Sequence, residues 1–357
     1  MTAARLTIDL GALAHNYAAL RREAAGAEVA PVVKADGYGL GAGPIARRLW
    51  NEGARSFFVA RLSEAEALRA TLGRLDATIY VLDGVTPEAP ARLLAARLTP
   101  VINSLDEIER WQTAIGAARA PAALHIDTGM NRVGIDGGQV QEAATRLAAA
   151  ATIDLVLVMS HLANAAEPGN TTNPDQLARF KAAGAAFPGV PASLAASAGA
   201  FLGPDYRFQT VRPGISLVGG GPRERPDARF RAVATLEAPV LQVRDLNPGD
   251  RVGYGSMFTA AQPMRIALLA AGYADGLLRR SYAKGFAWLN GARAPLVIVS
   301  MDMIAIDVSA CGEVQPGDWA QLLGPDVLLD DIAEASETVA HECLTRLNAR
   351  AERVYID

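Results

Sequence analysis

SFFVARLSEAEALRATLGRLDATIYVL, residues 56–82, decides the fold. An apolar run rich in aromatic and β-branched residues leads into SEAEALRATL (63–72), an Ala/Leu/Arg-rich stretch with helical periodicity. A glycine follows, and a second strand-like run, TIYVL (78–82), begins. A helix between two apolar strands is the crossover that makes neighbouring strands parallel. The same alternation recurs from about residue 10 to about 220. Further strand-like runs are EVAPVV (28–33), LTPVI (98–102), AALHID (122–127), DLVLVMS (154–160), PASLAA (191–196) and GISLVG (214–219). QVQEAATRLAAA (139–150) is another helical stretch. About eight such repeats predict a (β/α)₈, TIM-type barrel over residues 1–225.

Beyond about residue 225 the texture changes. Turn signals such as NPGD (247–250) and LNGARAP (289–295) separate runs such as MRIALLAAGY and LVIVSMDMIAIDV, with no long helix between them. Residues 226–357 are expected to form a mostly β second domain, with which the first few residues of the chain can also pair. GGGPRERPDAR (219–229) reads as the linker, and the stretch from Asp330 to about Leu347 as a short helical element.

The chain has 357 residues, 50% hydrophobic and 20% charged, with a net charge of −4. That balance gives no electrostatic case for nucleic acid or an anionic membrane as partner. No apolar run approaches the ~18 residues of a membrane span. The start, MTAARLTIDLGAL, carries no apolar signal-peptide core. Cys311 and Cys343, the only cysteines, are too few for a disulfide framework and lack metal-ligand spacing. A cytoplasmic protein is expected, with no metal.

Only three of the 34 basic residues are lysines, and one of them, Lys34, ends a strand in PVVKADGYGLGAG (31–43). Barrel residues at that end of a strand face the active-site mouth. A solvated lysine is one reading. A Schiff-base lysine is the other, because an apolar wall disfavours the ammonium form and frees the amine to attack a carbonyl.

Taken together, VVKADGYGLG (32–41), HIDTGMNRVG (125–134), SHLA (160–163), SLAASAG (193–199), VRPGISL (211–217), VGYGS (252–256), GYADG (272–276) and SMDM (300–303) resemble the alanine racemase family, in order and over nearly the whole chain. The resemblance implies a homodimer that uses pyridoxal 5′-phosphate (PLP) and shares its active sites between subunits. It implies a small amino acid as substrate and interconversion of L- and D-alanine by two bases, in a reaction that supplies D-alanine for peptidoglycan precursors. Lys34 matches the lysine that anchors the cofactor and acts as one base. Tyr254 of the partner subunit matches the other. Removing a proton from one face of a carbon and returning it to the other calls for a base on each side. Arg212 matches the arginine beside the pyridine nitrogen, and His161 a histidine that orients it. Tyr38, Ser197 and the amides of Gly214 and Ile215 match the phosphate ligands. Arg132 matches the arginine that holds the substrate carboxylate, whose planar fork suits that group. The Met301 amide, beside Asp302, matches a second contact to it, and Tyr273 a tyrosine at the entrance.

Several positions depart from the family pattern. His125 stands where many members carry a carboxylated lysine that buttresses the substrate-binding arginine. Asp127, two residues on and on the same strand face, is the first substitute to consider. Ala196, Val218, Ser300 and His341 also replace commoner residues. These differences leave open a broad-specificity alanine/serine racemase on the same scaffold. A non-catalytic PLP-homeostasis protein would resemble the barrel alone, and a related decarboxylase would need an acid where Arg212 stands.

Overall fold

The computed structural model describes residues 4–73, 76–282 and 284–357. Two compact units emerge. One comprises Tyr17–Gly37 and Gly41–Leu217; the other comprises the chain through Asn16, Tyr38–Leu40 and Val218–Asp357.

In chain order β1 is Arg5–Asp9, and the first unit then supplies eight strands. They are β2 (Glu28–Val29), β3 (Ser56–Val59), β4 (Thr78–Val81), β5 (Thr99–Ile102), β6 (Ala120–His125), β7 (Ile153–Met159), β8 (Ala192–Ser193) and β9 (Thr210–Val211). Strands β3 to β8 pair sequentially and in parallel, and β2 pairs in parallel with β9. Two parallel bridges, Val32 with Phe58 and Ala196 with Arg212, join these sheets at both edges. The ring of eight parallel strands is thereby closed, as the strand–helix alternation predicts. One assignment needs correction. GISLVG is not the eighth strand: Ile215–Val218 is a 3₁₀ turn, and the strand is the two-residue β9 before it. Pro213 offers no N–H to a ladder, and Leu217 N instead donates to Gly214 O at 3.0 Å.

Side-chain alternation fills this barrel. Ala30, Phe58, Tyr80, Val101, Ala123, Leu157 and Met159 form one buried cluster, with the Phe58 and Tyr80 rings stacked 4.4 Å apart. Phe57 and Ile79 point to the opposite face of the same strands and are also fully buried. The crossover helix Leu62–Leu72 begins where Glu64 accepts the Arg61 amide and ends at Gly73 with φ 57°.

The second unit contributes β10 (Ala234–Leu246), β11 (Arg251–Val252), β12 (Phe258–Thr259), β13 (Met264–Leu269), β14 (Phe286–Leu289), β15 (Ala292–Val299), β16 (Ile304–Asp307), β17 (Trp319–Leu323) and β18 (Glu352–Ile356). Strands β13-β16-β15-β14-β17-β10 pair antiparallel in that order, and β10 returns to β13, so this sheet also closes. β1 adds antiparallel to β10 and parallel to β18. The helical element expected after Asp330 is two short helices, Leu329–Ala335 and Ala340–Thr345. Among the described residues no helix is long and apolar enough to cross a membrane.

Phe57 packs outside the barrel mouth residues, so Phe57→Ala should lower the unfolding free energy by about 3–5 kcal/mol. Denaturant unfolding of the full chain checks this; a loss below about 1 kcal/mol would mean that this face is not packed as described.

Candidate active site

Chemistry-bearing residues gather just beyond the C-terminal ends of the barrel strands. Lys34 follows Val32–Val33, Asn103 follows β5, His125 ends β6, Ser160 and His161 follow β7, and Arg212 follows β9.

Lys34 opens a turn of the wrong hand. Ala35, Asp36, Gly37 and Tyr38 have φ of 52°, 53°, 63° and 59°, the left-handed region that costs a non-glycine residue ~1–2 kcal/mol. The turn is held from outside. Glu64 Oε1 accepts the Ala35 amide at 2.7 Å, and Asp36 Oδ1 accepts the Ala42 amide at 2.8 Å. At Gly37, φ 63°, a Cβ would lie 2.8 Å from Ile45 Cδ1 and 3.1 Å from the Ala42 amide nitrogen, so a larger residue would crowd the start of the next helix. Lys34 is half-buried and makes no ion pair among the described residues. Burial lowers its pKa, the charge of Arg132 lowers it further, and Glu64 partly opposes both. Tyr38 is grouped with the second unit, where its ring lies 5.8 Å from that of His341. Burial raises its phenol well above the usual range.

Arg212 is 3% exposed, and both of its terminal nitrogens are engaged, while its Nε–H meets no acceptor among the described residues. One guanidinium nitrogen donates to Ser193 O at 2.9 Å and to Ser193 Oγ; the other donates to Ser160 O at 2.6 Å and approaches His161 Nδ1 at 3.4 Å. Burial pulls its pKa down to about 9, which leaves it protonated at neutral pH. His161 is the converse case. Burial, and then the charges of Arg212 and Arg132, push its pKa down to about 3, so it is neutral and accepts at Nδ1.

Ser197, at 5% exposed, accepts from Gly214 N at 3.0 Å and Ser216 N at 3.3 Å, leaving its hydroxyl proton free to donate. The Ile215 amide beside it has no protein acceptor among the described residues. The Ser197 hydroxyl proton and the Ile215 amide are thus the donors left facing an anion, while the Gly214 amide is held against the Ser197 oxygen.

His125 is buried, and its Nδ1 lies 3.0 Å from Asn103 Oδ1. Burial, and then Arg212 and Arg132, lower its pKa to about 4. Asp127 does not pair with the exposed Arg132. Its Oδ1 accepts from Gly129 N at 2.8 Å and Met130 N at 2.9 Å, and these amides hold its carboxyl low despite the burial that raises it.

The remaining predicted site residues belong to the second unit. Tyr254 is 87% exposed and Met301 52%. With Tyr273, Arg279 and Met257 they line an open cleft of about 210 Å³. Arg350 braces its rim, bonding Asp302 at 2.6 Å and reaching Asp275 at 3.5 Å. Lys34, Arg132, His161, Ser197, Arg212, Gly214 and Ile215 therefore share the barrel unit, while Tyr38, Tyr254 and Met301 do not.

Sequence reasoning missed Glu64, Asn103, Ser160 and Ser193. Asn103, Ser160 and Ser193 lie at or just beyond strand ends, the position that singled out Lys34, and the same rule applied to every strand would have found them. Glu64 bore only the signature of a helix start.

The chain was compared with known proteins. Two family models match: alanine racemase, N-terminal domain, over residues 8–222, and alanine racemase, C-terminal domain, over 233–355. A curated alanine racemase of Methylobacterium nodulans is 44% identical, covering 99% of this chain and 96% of its own. A catabolic alanine racemase of Agrobacterium fabrum is also 44% identical, covering 98% and 92%. Among solved structures, alanine racemase from Bartonella henselae with covalently bound pyridoxal phosphate superposes with TM-score 0.94 at 37% identity, and the biosynthetic alanine racemase of Pseudomonas aeruginosa with TM-score 0.95 at 32%. Both cover 100% of each chain.

The two neutral histidines, His125 buried and His161 half-buried, predict a pH dependence of stability. Their folded pKa values, about 4 for His125 and about 3 for His161, lie below the ordinary 6.5. The unfolded chain therefore takes up protons that the folded state refuses as pH falls through 6.5. Their contribution is fully present above pH 6.5 and is lost toward pH 4, each histidine adding at most about 1.4 kcal/mol per pH unit to the slope. Denaturant unfolding at pH 7, 6 and 5 should show this slope, and His125→Gln with His161→Gln should flatten it; an equal slope in both proteins contradicts the assignment.

Proposed function

From the premise that the chain belongs to the alanine racemase family, we propose that it interconverts L- and D-alanine with PLP, as a cytoplasmic homodimer whose sites draw residues from both copies. The observation that carries this reading is the company of two residues at one barrel mouth: an unpaired lysine with a lowered pKa, and a buried arginine that keeps its proton. Two buried free cysteines, Cys311 and Cys343, support a reducing compartment.

The residues present fit the cofactor. Lys34 Nζ is the amine that would hold its aldehyde carbon. The Ser197 hydroxyl with the Ile215 amide would take its phosphate, as would the Gly214 amide and Tyr38 by family analogy. Arg212 would donate to its ring nitrogen. PLP supplies, when bound, an electron sink that acidifies the substrate's α-carbon.

The chain's own groups account for the rest. Arg212 can donate a hydrogen bond but cannot supply a proton at neutral pH, so it would leave a ring nitrogen that it met unprotonated. Arg212 would thereby weaken the sink and favour return of the proton to the α-carbon over transamination. His161, neutral, accepts from Arg212 and fixes its fork. Arg132 would clamp the substrate carboxylate, helped by the Met301 amide of a second copy. Lys34 Nζ would take or return the proton on one face of the α-carbon, and Tyr254 Oη of a second copy on the other. The exposure of Tyr254 in a single chain agrees with a role completed by another copy. Both family domains are present, which speaks against a barrel-only PLP carrier.

Alanine incubated in deuterated water should gain α-deuterium from either enantiomer, and serine run alongside measures substrate breadth. Lys34→Ala should abolish exchange, while Tyr254→Phe should slow α-proton exchange from one enantiomer by at least about tenfold, with kcat/KM of racemisation falling equally in both directions. Mixed Lys34→Ala and Tyr254→Phe protomers should recover part of the activity by subunit exchange. No exchange in the wild type, or equal and negligible effects of Tyr254→Phe on both enantiomers, would overturn the corresponding assignment.

A further inference from the structure

We propose that Asn103 is a positioning residue that holds His125 as the neutral Nδ1–H imidazole, making His125 Nε2 a fixed acceptor for the guanidinium of Arg132. The proposal rests on the reading of Arg132 as the substrate-carboxylate clamp.

The orientation of Asn103 follows from its partners. Its Nδ2 donates to Leu82 O at 3.1 Å and to Val101 O at 2.8 Å, and a backbone carbonyl only accepts. The atom facing His125 is therefore the amide oxygen, at 3.0 Å. An amide oxygen also only accepts, so the proton of the pair sits on His125 Nδ1, and Nε2 carries a lone pair. The parallel register Val101 to Ala123 and Ile102 to Leu124 sets the two side chains opposite one another. Behind Asn103, Glu107 Oε2 accepts the Asn103 amide at 3.0 Å and that of Val85 at 3.2 Å, which anchors the residue.

The surroundings decide what Nε2 can accept from. The charged or titratable groups that act on this imidazole are Asp127 and Arg132 after β6, His161 after β7 and Arg212 after β9, with Glu107 behind Asn103 and Lys34 beyond His161. The terminal nitrogens of Arg212 donate to Ser193, Ser160 and His161. Arg132 has no hydrogen bond or ion pair among the described residues. Its five N–H groups can serve a substrate carboxylate and still leave one for Nε2. A neutral acceptor would orient the fork without cancelling its charge, whereas a carboxylate would do both.

Two measurements test this. In ¹⁵N-labelled holoenzyme, two-bond ¹H–¹⁵N spectra distinguish the tautomers, and the His125 signals are those lost in His125→Gln. Nδ1–H with bare Nε2, unchanged from pH 5 to 8, is expected; the other tautomer or an imidazolium in that range overturns the proposal whatever the activity. Asn103→Asp should raise the imidazole pKa, so that KM for alanine rises about tenfold on the acid side while kcat changes little. Wild-type and Asn103→Asp KM–pH profiles that superimpose would also overturn it. Failure of the racemase reading is a separate outcome, seen as absent α-proton exchange in the wild type with the tautomer unaffected.

Discussion

The site depends on one buried guanidinium. Arg212 follows the two-residue strand β9, and its backbone forms the bridge to Ala196 that closes the barrel. Its side chain reaches back across the ends of the two preceding strands, to Ser193 and Ser160. A charge with 3% exposure needs polar partners, and here Ser193, Ser160 and His161 take up both terminal nitrogens, which leaves Nε–H as the donor that a ligand could meet. The residue that completes the ring is thus also the one that gives its mouth a fixed cation, above Phe58 at 5.9 Å.

That cation sets the protonation of its neighbours. Lys34, Arg132 and Arg212 lie at one mouth, and the nearby carboxylates are committed elsewhere: Asp127 to loop amides, Glu64 to the amides of Ala35, Ala60 and Arg61. With burial, this excess of positive charge keeps both imidazoles neutral and makes the free amine of Lys34 easier to reach. A phosphate and a substrate carboxylate carry the opposite charge, so the ligands of the proposed reaction would meet a complementary potential at this mouth.

Much of the fold was legible because parallel barrel strands are buried on both faces and read as continuous apolar runs. SFFVA, TIYVL and DLVLVMS are of this kind and all are strands. The eighth position was not legible. Thr210–Val211 is too short to stand out, while ISLV is as apolar as any strand but lies after a proline and curls into a 3₁₀ turn. At the site, Lys34 was visible as a rare residue at a strand end, yet its roles, and those of Arg212 and Tyr254, came from family resemblance rather than local pattern. Asn103 shows why the rest stayed hidden. Nothing in LTPVINS marks its amide as the partner of a histidine on the next strand; only strand register brings Asn103 and His125 together.

The left-handed turn after Lys34 was equally invisible, because Ala35 and Tyr38 carry no preference for it. Its three non-glycine residues cost about 3–6 kcal/mol between them. Glu64 offsets part of that cost: a carboxylate accepting three amides contributes about 1.5–3 kcal/mol for each charged hydrogen bond, before the cost of burying it. The arrangement ties position to protonation. The same carboxylate that pins Ala35, and so fixes where the Lys34 side chain starts, is the charge that partly opposes the lowering of the lysine pKa. Were the turn to relax to the right-handed form, Ala35 N would leave Glu64, and the lysine would lose its placement and its nearby countercharge together. Strain held by that one carboxylate thus keeps the geometry and the basicity of Lys34 from varying independently.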